Sequence, residues 1–584
     1  MPQITKTHHC FTLATGALTL ALAGCASHEA SPPPQATQTP KPAATAKAPP
    51  ATTGSFKPAT LYSLMVAEMA ASRGLTGVSL GNYLEQAEQT RDLGVIKRAL
   101  QLAGQARNRE ALLKAALLWI DVEPDNPTPY GFAATELILR GDREKALPML
   151  EKVLEGDDLR AIDALANQAQ QMSDEERAAY VVQIDRMLAV EPLAPLLYVK
   201  AVMIQHQGDI PGALALAQQA LEQDPALDRA ILLEADLQSK SGHLDTALGH
   251  LREELERRDH KQMRTLYTRL LLEKGQYPLA EQQADQLLTR YPRDHNLHFY
   301  LGALMLEHNQ LDTSEAYFSS LAEQVGMSST LHYYLGRIDQ QQGEAENALE
   351  HYLQVTESTY FLPSYAEVVK ILDQPQAQPR LGQIMSQARQ QFPDAAPTLY
   401  ALESSWLIER DFDHQAMALL DQALETHPDN VRLRYSRALL GEKQGDLELL
   451  ESDLRYLLEL DPDNATALNA LGYSLTDHTD RHEEALALIE RALAIKPDDP
   501  AILDSMGWAY YNLGNYDKAL EYLQRAYNSF PDPEIATHLG KVYWALGKKM
   551  QAMQVWEEAL EQTPDSPLLL RAIEEAGKTS ARES

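Results

Sequence analysis

An all-α array of paired helices is the fold this sequence predicts, and three observations predict it. Alanine, leucine, glutamate and glutamine dominate its runs, aromatics are only 7%, and clusters of valine or isoleucine are few, a composition that favours helices over strands. Pro428, Pro462, Pro497, Pro531 and Pro564 each follow an apolar helical stretch at spacings of 34, 35, 34 and 33 residues, the period of a two-helix unit. Small residues recur in step with them: Gly507 and Gly540 lie 33 apart, each followed by a tyrosine (Tyr510, Tyr543) and then by two alanines (Ala519 and Ala526; Ala552 and Ala559). A chain of 584 residues is too long for one compact core, and a repeat array accounts for its length.

The first element is not part of the array. The run Phe11 to Ala23, FTLATGALTLALA, is too short to span a bilayer and has the length of the apolar segment of a signal peptide. It leads into Leu22-Ala23-Gly24-Cys25, which resembles the lipobox of bacterial lipoproteins. The resemblance implies cleavage after residue 24, a lipid on Cys25, and, because residue 26 is Ala rather than Asp, sorting to the outer membrane. The residues also fit an ordinary secretory signal with an accidental cysteine. Cys10 and Cys25 are the two cysteines of the chain, so cleavage would leave no free thiol, and disulfide and thiol chemistry are excluded together. Residues 25–57 (SPPPQATQTPKPAATAKAPPATTG and its flanks) cannot bury a core and read as a disordered Pro/Ala/Thr-rich tether.

From residue 58 to about 566 the helical period holds with varying fidelity. Ala416, Ala423 and Pro428 mark one unit, Leu335, Gly336, Gly343 and Ala348 another, Leu301, Gly302 and Phe318 a third. Gly275, Ala280 and Pro292 continue the series upstream, then Gly208, Ala213, Ala220 and Pro225, then Gly141 and Ala146, and more loosely Trp119 and Pro124. The register is weakest at Asp157 to Pro195 and at Phe361 to Pro393, where a bend or irregular packing is expected to divide the array. SPLLLRAIEEAG, residues 566–577, opens a C-terminal segment (567–584) that reads as a final helix capping the last unit and a tail.

Within each unit the glycine at 507 raises a physical question, because a mid-helix glycine costs roughly 1 kcal/mol relative to alanine. Its recurrence implies that the second helix of the hairpin crosses there. Gly514 is placed to end the first helix and Asp517 to open the second. These offsets resemble the tetratricopeptide (TPR) pattern: a small residue at the eighth position, an aromatic at the eleventh, alanine at the twentieth and twenty-seventh, proline at the thirty-second. The resemblance implies a right-handed superhelical solenoid of about fourteen to fifteen antiparallel hairpins.

Composition limits the chemistry. A formal net charge of −32 repels phosphate backbones, so nucleic acid is an improbable partner. No GxSxG, HExxH, CxxC, P-loop or GxGxxG constellation is present, and the chain reads as no enzyme, with no cofactor. Two histidine pairs, His295 with His298 and His478 with His482, have spacings that suit either metal ligation or capping; neither has a visible third ligand.

TPR resemblance implies that the second, fifth, ninth and twelfth positions of the first helix line an inner face. Here those positions give Asn469, Asp504 and Thr537, then Tyr473, Trp508 and Lys541, then Thr476, Tyr511 and Trp544. Residues 504, 508 and 511 also share one helical stripe by spacing alone. An aromatic stripe edged by Asn469, Asp504 and Lys541 has the makeup of a partner-binding groove, and equally of packing between repeats. The carboxylate-clamp pattern of chaperone-binding TPRs is not visible.

Lipobox, tether, array and the run LGYSLTDHTDRHEEALALIERALAIKPDDPAILDSMGWAYYNLG together resemble the large TPR lipoproteins of Gram-negative proteobacteria, and most of all the pseudomonad lipoprotein partners of a periplasmic carboxyl-terminal processing protease. That resemblance implies an adaptor on the periplasmic face of the outer membrane, bringing the protease to cell-wall hydrolases. A scaffold for an export or assembly machine, in exopolysaccharide secretion or pilus assembly, is the alternative it leaves open.

Overall fold

A computed structural model describes residues 56–153, 156, 160–356 and 358–583. Among the described residues there are 31 α-helices, from Pro58–Ser72 to Pro567–Glu583, and no strand. Taken in chain order they make fifteen successive pairs and a closing helix. The helices Asp413–Thr426, Leu447–Leu460, His482–Ile495, Tyr516–Ser529 and Lys549–Gln562 each end two residues before one of the five periodic prolines. A proline donates no backbone N–H and clashes with the preceding turn, so it stops the helix there.

The small residues serve the expected purpose. A Cβ added at Gly507 would lie 2.5 Å from Leu523 Cγ and 3.1 Å from the carbonyl oxygen of Ala519, both on the second helix of its own hairpin. Gly472 meets Ile489 and the Ala485 carbonyl in the same way, and Gly302 meets Phe318. Ala416, Ala423, Ala519, Ala526 and Ala552 are fully buried on the opposing helices. Gly514, at φ 77°, closes the first helix: its N–H donates to Tyr511 O and that of Asn515 to Tyr510 O. Asn515, not Asp517, caps the next helix, its side chain accepting from the Lys518 N–H. Asp517 sits in the first turn, where a negative charge suits the helix dipole.

Contacts divide the described residues into two compact units, one ending at Leu321 and the other beginning at Ala322. The first unit is irregular where the register weakened. Arg143–Val153 contains Pro148, and is followed by the nine-residue helix Arg160–Gln168 and the long helix Asp174–Val190, whose start is fixed by a Ser173–Glu176 capping box. In the second unit, Ser358–Ile371 contains Pro363, and Pro375 and Pro393 each open a 3-10 turn around Gln378–Gln391. Trp406, 1% exposed, repairs this stretch by donating its indole N–H to the Leu372 carbonyl at 2.9 Å. The division between units falls in neither irregular stretch but within the last turns of Leu311–Val325.

Burial lowers the pKa of His206, His298 and His332. Burial holds His332 below its usual pKa, and His351, whose Nδ1 is 2.9 Å from His332 Nδ1, adds to the effect. The unfolded chain therefore binds a proton there more readily than the fold does. Stability from this ring is present above about pH 6.5 and is lost as the pH falls below it. Thermal midpoints of the unaltered protein are expected to fall between pH 7 and pH 5 more steeply than those of His332→Gln.

Candidate functional site

Three first helices of consecutive hairpins, Ala465–His478, Pro500–Asn512 and Pro533–Ala545, carry the expected stripe. Their starts are set alike, by Asn464, Asp499 and Asp532, whose side chains accept first-turn N–H groups. Because the repeat length is nearly constant, side chains one repeat apart stack over each other. His538 Nδ1 lies 3.0 Å from both carboxylate oxygens of Asp504, 34 residues earlier. A carboxylate can only accept, so this ring nitrogen carries the hydrogen. The Trp508 indole N–H donates to Asp477 Oδ1 at 3.1 Å.

One pair of contacts spans two repeats. The Tyr473 hydroxyl donates to Glu534 Oε1 at 2.6 Å, 61 residues away, and its ring centroid lies 6.3 Å from that of His538. First helices that are not neighbours can meet only on the inside of a curve. The stripe therefore lies on the concave side of these three hairpins.

The rings form a continuous ladder. His538 stacks on Trp508 at 4.1 Å and 17°, and Trp508 on Tyr511 at 4.8 Å and 6°. Lys541 Nζ stands 5.2 Å from the Trp508 ring, within reach of a cation–π attraction. Burial, reinforced by the Glu534 carboxylate, pushes the Tyr473 phenol far above its ordinary pKa, which keeps it a hydrogen-bond donor.

The predicted residues divide by exposure. Asp504 and Trp508 are only 5% and 7% exposed, so the structure corrects their expected role: Asp504 is occupied by His538, and Trp508 is a packed anchor rather than a contact surface. Thr476 and Thr537 are buried as well, each bonded to a carbonyl of its own helix. Asn469, Tyr473, Tyr511 and Lys541 remain half-buried at the edge of the ladder. Asn469 Oδ1 is buried with no hydrogen-bond partner among the described residues, an arrangement that costs about 1–3 kcal/mol until an N–H reaches it. Trp544 belongs elsewhere: with Met550, Met553, Ile573 and Gly577 it lines an open recess of about 530 Å³ against the closing helix.

Other expected sites resolve simply. His298 is buried and His295 exposed, so the two rings do not share a face. His478 Nε2 lies 3.4 Å from Glu442, and His482 Nδ1 has no hydrogen-bond partner among the described residues. Cys25 lies outside the described residues. No sequence motif pointed to His538, Asp477 or Glu534; the one signal available was the 34-residue offset that places His538 over Asp504.

Tetratricopeptide repeat models match residues 478–542 and residues 232–295, 268–326 and 451–500. A TPR repeat-containing protein of Pseudomonas aeruginosa is 36% identical over 478 residues, covering 81% of this chain and 80% of that protein. Among solved structures, a chain of the Naa15/Naa10 complex bound to HypK-THB covers 90% of this chain and 96% of its own at 12% identity, with a TM-score of 0.35. A thermophilic TPR protein of Thermus thermophilus covers 29% of this chain and 94% of its own at 24% identity, with a TM-score of 0.28. Scores of that size carry no argument, and the family rests on the Pseudomonas relative and the repeat models. On that basis, this chain belongs to the TPR repeat-containing proteins.

Proposed function

We propose that the chain is a non-catalytic adaptor, anchored through Cys25 to the periplasmic face of the outer membrane, that holds a carboxyl-terminal processing protease and its cell-wall hydrolase substrates on its helical array. The observation that carries the binding part of this reading is the concave ladder at Tyr473, Trp508 and Tyr511. Its centre is braced by His538 and Asp504, and its rim offers Tyr511 and Lys541. A packed ring with a polar edge loses little entropy on contact. Resemblance to the pseudomonad lipoproteins supports the choice of protease and hydrolases and the membrane anchor.

Crosslinked co-purification from envelope membranes tests the reading. Recovery of the protease with its hydrolases is the expected result; recovery of an outer-membrane secretin or porin instead would transfer the protein to the export-scaffold alternative. Tyr511→Ala combined with Lys541→Ala is expected to reduce recovery of the partner at least tenfold while leaving the circular-dichroism melt in place, because both side chains sit at the rim. Cys25→Ser is expected to release the protein from membranes, checked by fractionation.

A further inference from the structure

The first described helix, Pro58–Ser72, packs on one side only. Ala67 and Ala70 are buried where it lies on Thr76–Thr90, while Leu61, Tyr62, Met65 and Met69 on its other side are 52–70% exposed. Among the described residues no other helix leaves four large apolar side chains open in this way. At the far end of the chain the last hairpin, Pro533–Ala545 with Lys549–Gln562, is covered by the closing helix Pro567–Glu583. The first hairpin has no such cover among the described residues, although stacked repeats need their outermost faces covered or polar.

Charge narrows what can lie there. The helix PATLYSLMVAEMAAS carries one charged side chain, Glu68. Arg98 holds that carboxylate at 2.9 and 3.1 Å and the Tyr83 hydroxyl donates to it at 2.7 Å, so its charge is matched within the chain. Residues 57–98 contain five lysines and arginines and four acidic residues, in a chain of net charge −32. The negative excess therefore lies elsewhere, and two copies can meet at this face without the repulsion they would feel at the rest of the surface. Charge-poor centres are what such contacts use.

The stripe is also complementary to itself. Leu61, Met65 and Met69 form an i, i+4, i+8 ridge symmetric about Met65, and ridges of this spacing interdigitate at about 50° in the commonest class of helix packing. A two-fold axis at Met65 lays Leu61 of one copy on Met69 of the other, and the inclination carries Lys57 and Arg73 of the two copies apart. Methionine adapts readily to such a seam. Four side chains of this size, about half open, present roughly 400 Å² of apolar surface per copy. With their surroundings, the pair buries on the order of 1,000 Å² in total, the least that a specific association needs. We propose that the exposed face of Pro58–Ser72 is a self-association surface, and that its occupant is the same helix of a second copy, packed antiparallel about Met65.

Photo-crosslinking in the purified full chain tests this. An equal mixture of light and heavy-nitrogen chains, each with Met69→p-benzoylphenylalanine, is expected to give a product of doubled mass. Its adducts should join Pro58–Ser72 of a light chain to Pro58–Ser72 of a heavy one. Adding Met65→Glu, which sets two carboxylates at the axis, should lower the yield at least tenfold, whereas Met65→Leu should retain it. With the probe moved to Leu61, the marked residues should lie toward Met69 of the other copy; marking Leu61 itself would rule out the two-fold axis. Absence of a doubled-mass product overturns the proposal, as do adducts confined to the same chain, to lipid or to another protein. A doubled-mass product joined outside this helix, or one indifferent to Met65→Glu, overturns it equally.

Discussion

Asp453→Ala is expected to lower the stability of its hairpin by about 3–5 kcal/mol, the cost of removing one partner from a buried ion cluster. The Asp453 side chain is 1% exposed and accepts from Arg434 Nη1 at 2.7 Å and from Arg437 Nε and Nη2 at 2.8 and 2.7 Å. Arg437 donates also to Asp421. The hydrogen bonds to Asp453 first, and those to Asp421, hold the Arg437 guanidinium well above its already high pKa. Removing the carboxylate leaves two largely buried guanidinium groups with no common counter-charge. A long array does not unfold in one step, so the measurement is amide hydrogen exchange. Protection in Val431–Gln444 and Leu447–Leu460 should fall at least a hundredfold, and Ala465–His478, which packs on them, should follow in part. Replacing Arg434, Arg437 and Asp453 together by apolar residues of similar volume is expected to restore most of the loss. Full protection in the single variant would show that the cluster contributes little.

The repeat frame was legible because steric demands leave marks at fixed offsets. A proline two residues past a helix, a glycine at a crossing and alanines facing it are each forced by the backbone geometry of one hairpin, so Pro497, Gly507, Ala519 and Ala526 could be read in a single chain. The site was legible only in outline. The spacing put Asn469, Tyr473, Tyr511 and Lys541 on first helices, where they are half-buried, but the burial of Trp508 and Asp504 depends on what the next repeat sets above them. Tyr473 and Glu534 meet across 61 residues, a distance that reflects curvature, which no local pattern encodes. The irregular stretches at residues 160–190 and around Pro363 fall where the register was lost, whereas Pro148 lies upstream of that stretch and was not foreseen. Nor was the boundary at Leu321, since no change of composition marks it.

Gly507→Leu tests the link between hairpin and site. The Cβ alone would come within 2.5 Å of Leu523 Cγ and 3.1 Å of the Ala519 carbonyl oxygen. A side chain can turn aside, but a backbone carbonyl moves only with its helix, so Tyr516–Ser529 must shift outward. Overpacking of this kind costs about 1–3 kcal/mol, or more for a branched side chain, against roughly 1 kcal/mol regained in helix propensity. Hydrogen exchange should therefore accelerate in Pro500–Asn512 and Tyr516–Ser529 by about tenfold or more, with far-ultraviolet circular dichroism little changed. The shift also displaces Trp508, the next residue, and with it the His538 stack that positions Tyr511 and Lys541. Partner recovery should fall together with local protection in Gly507→Leu, whereas the Tyr511→Ala, Lys541→Ala variant should lose recovery and keep its protection. Unchanged exchange in Gly507→Leu would remove the crossing as the reason for the glycine. Weakened exchange with full recovery would move the partner surface away from the ladder.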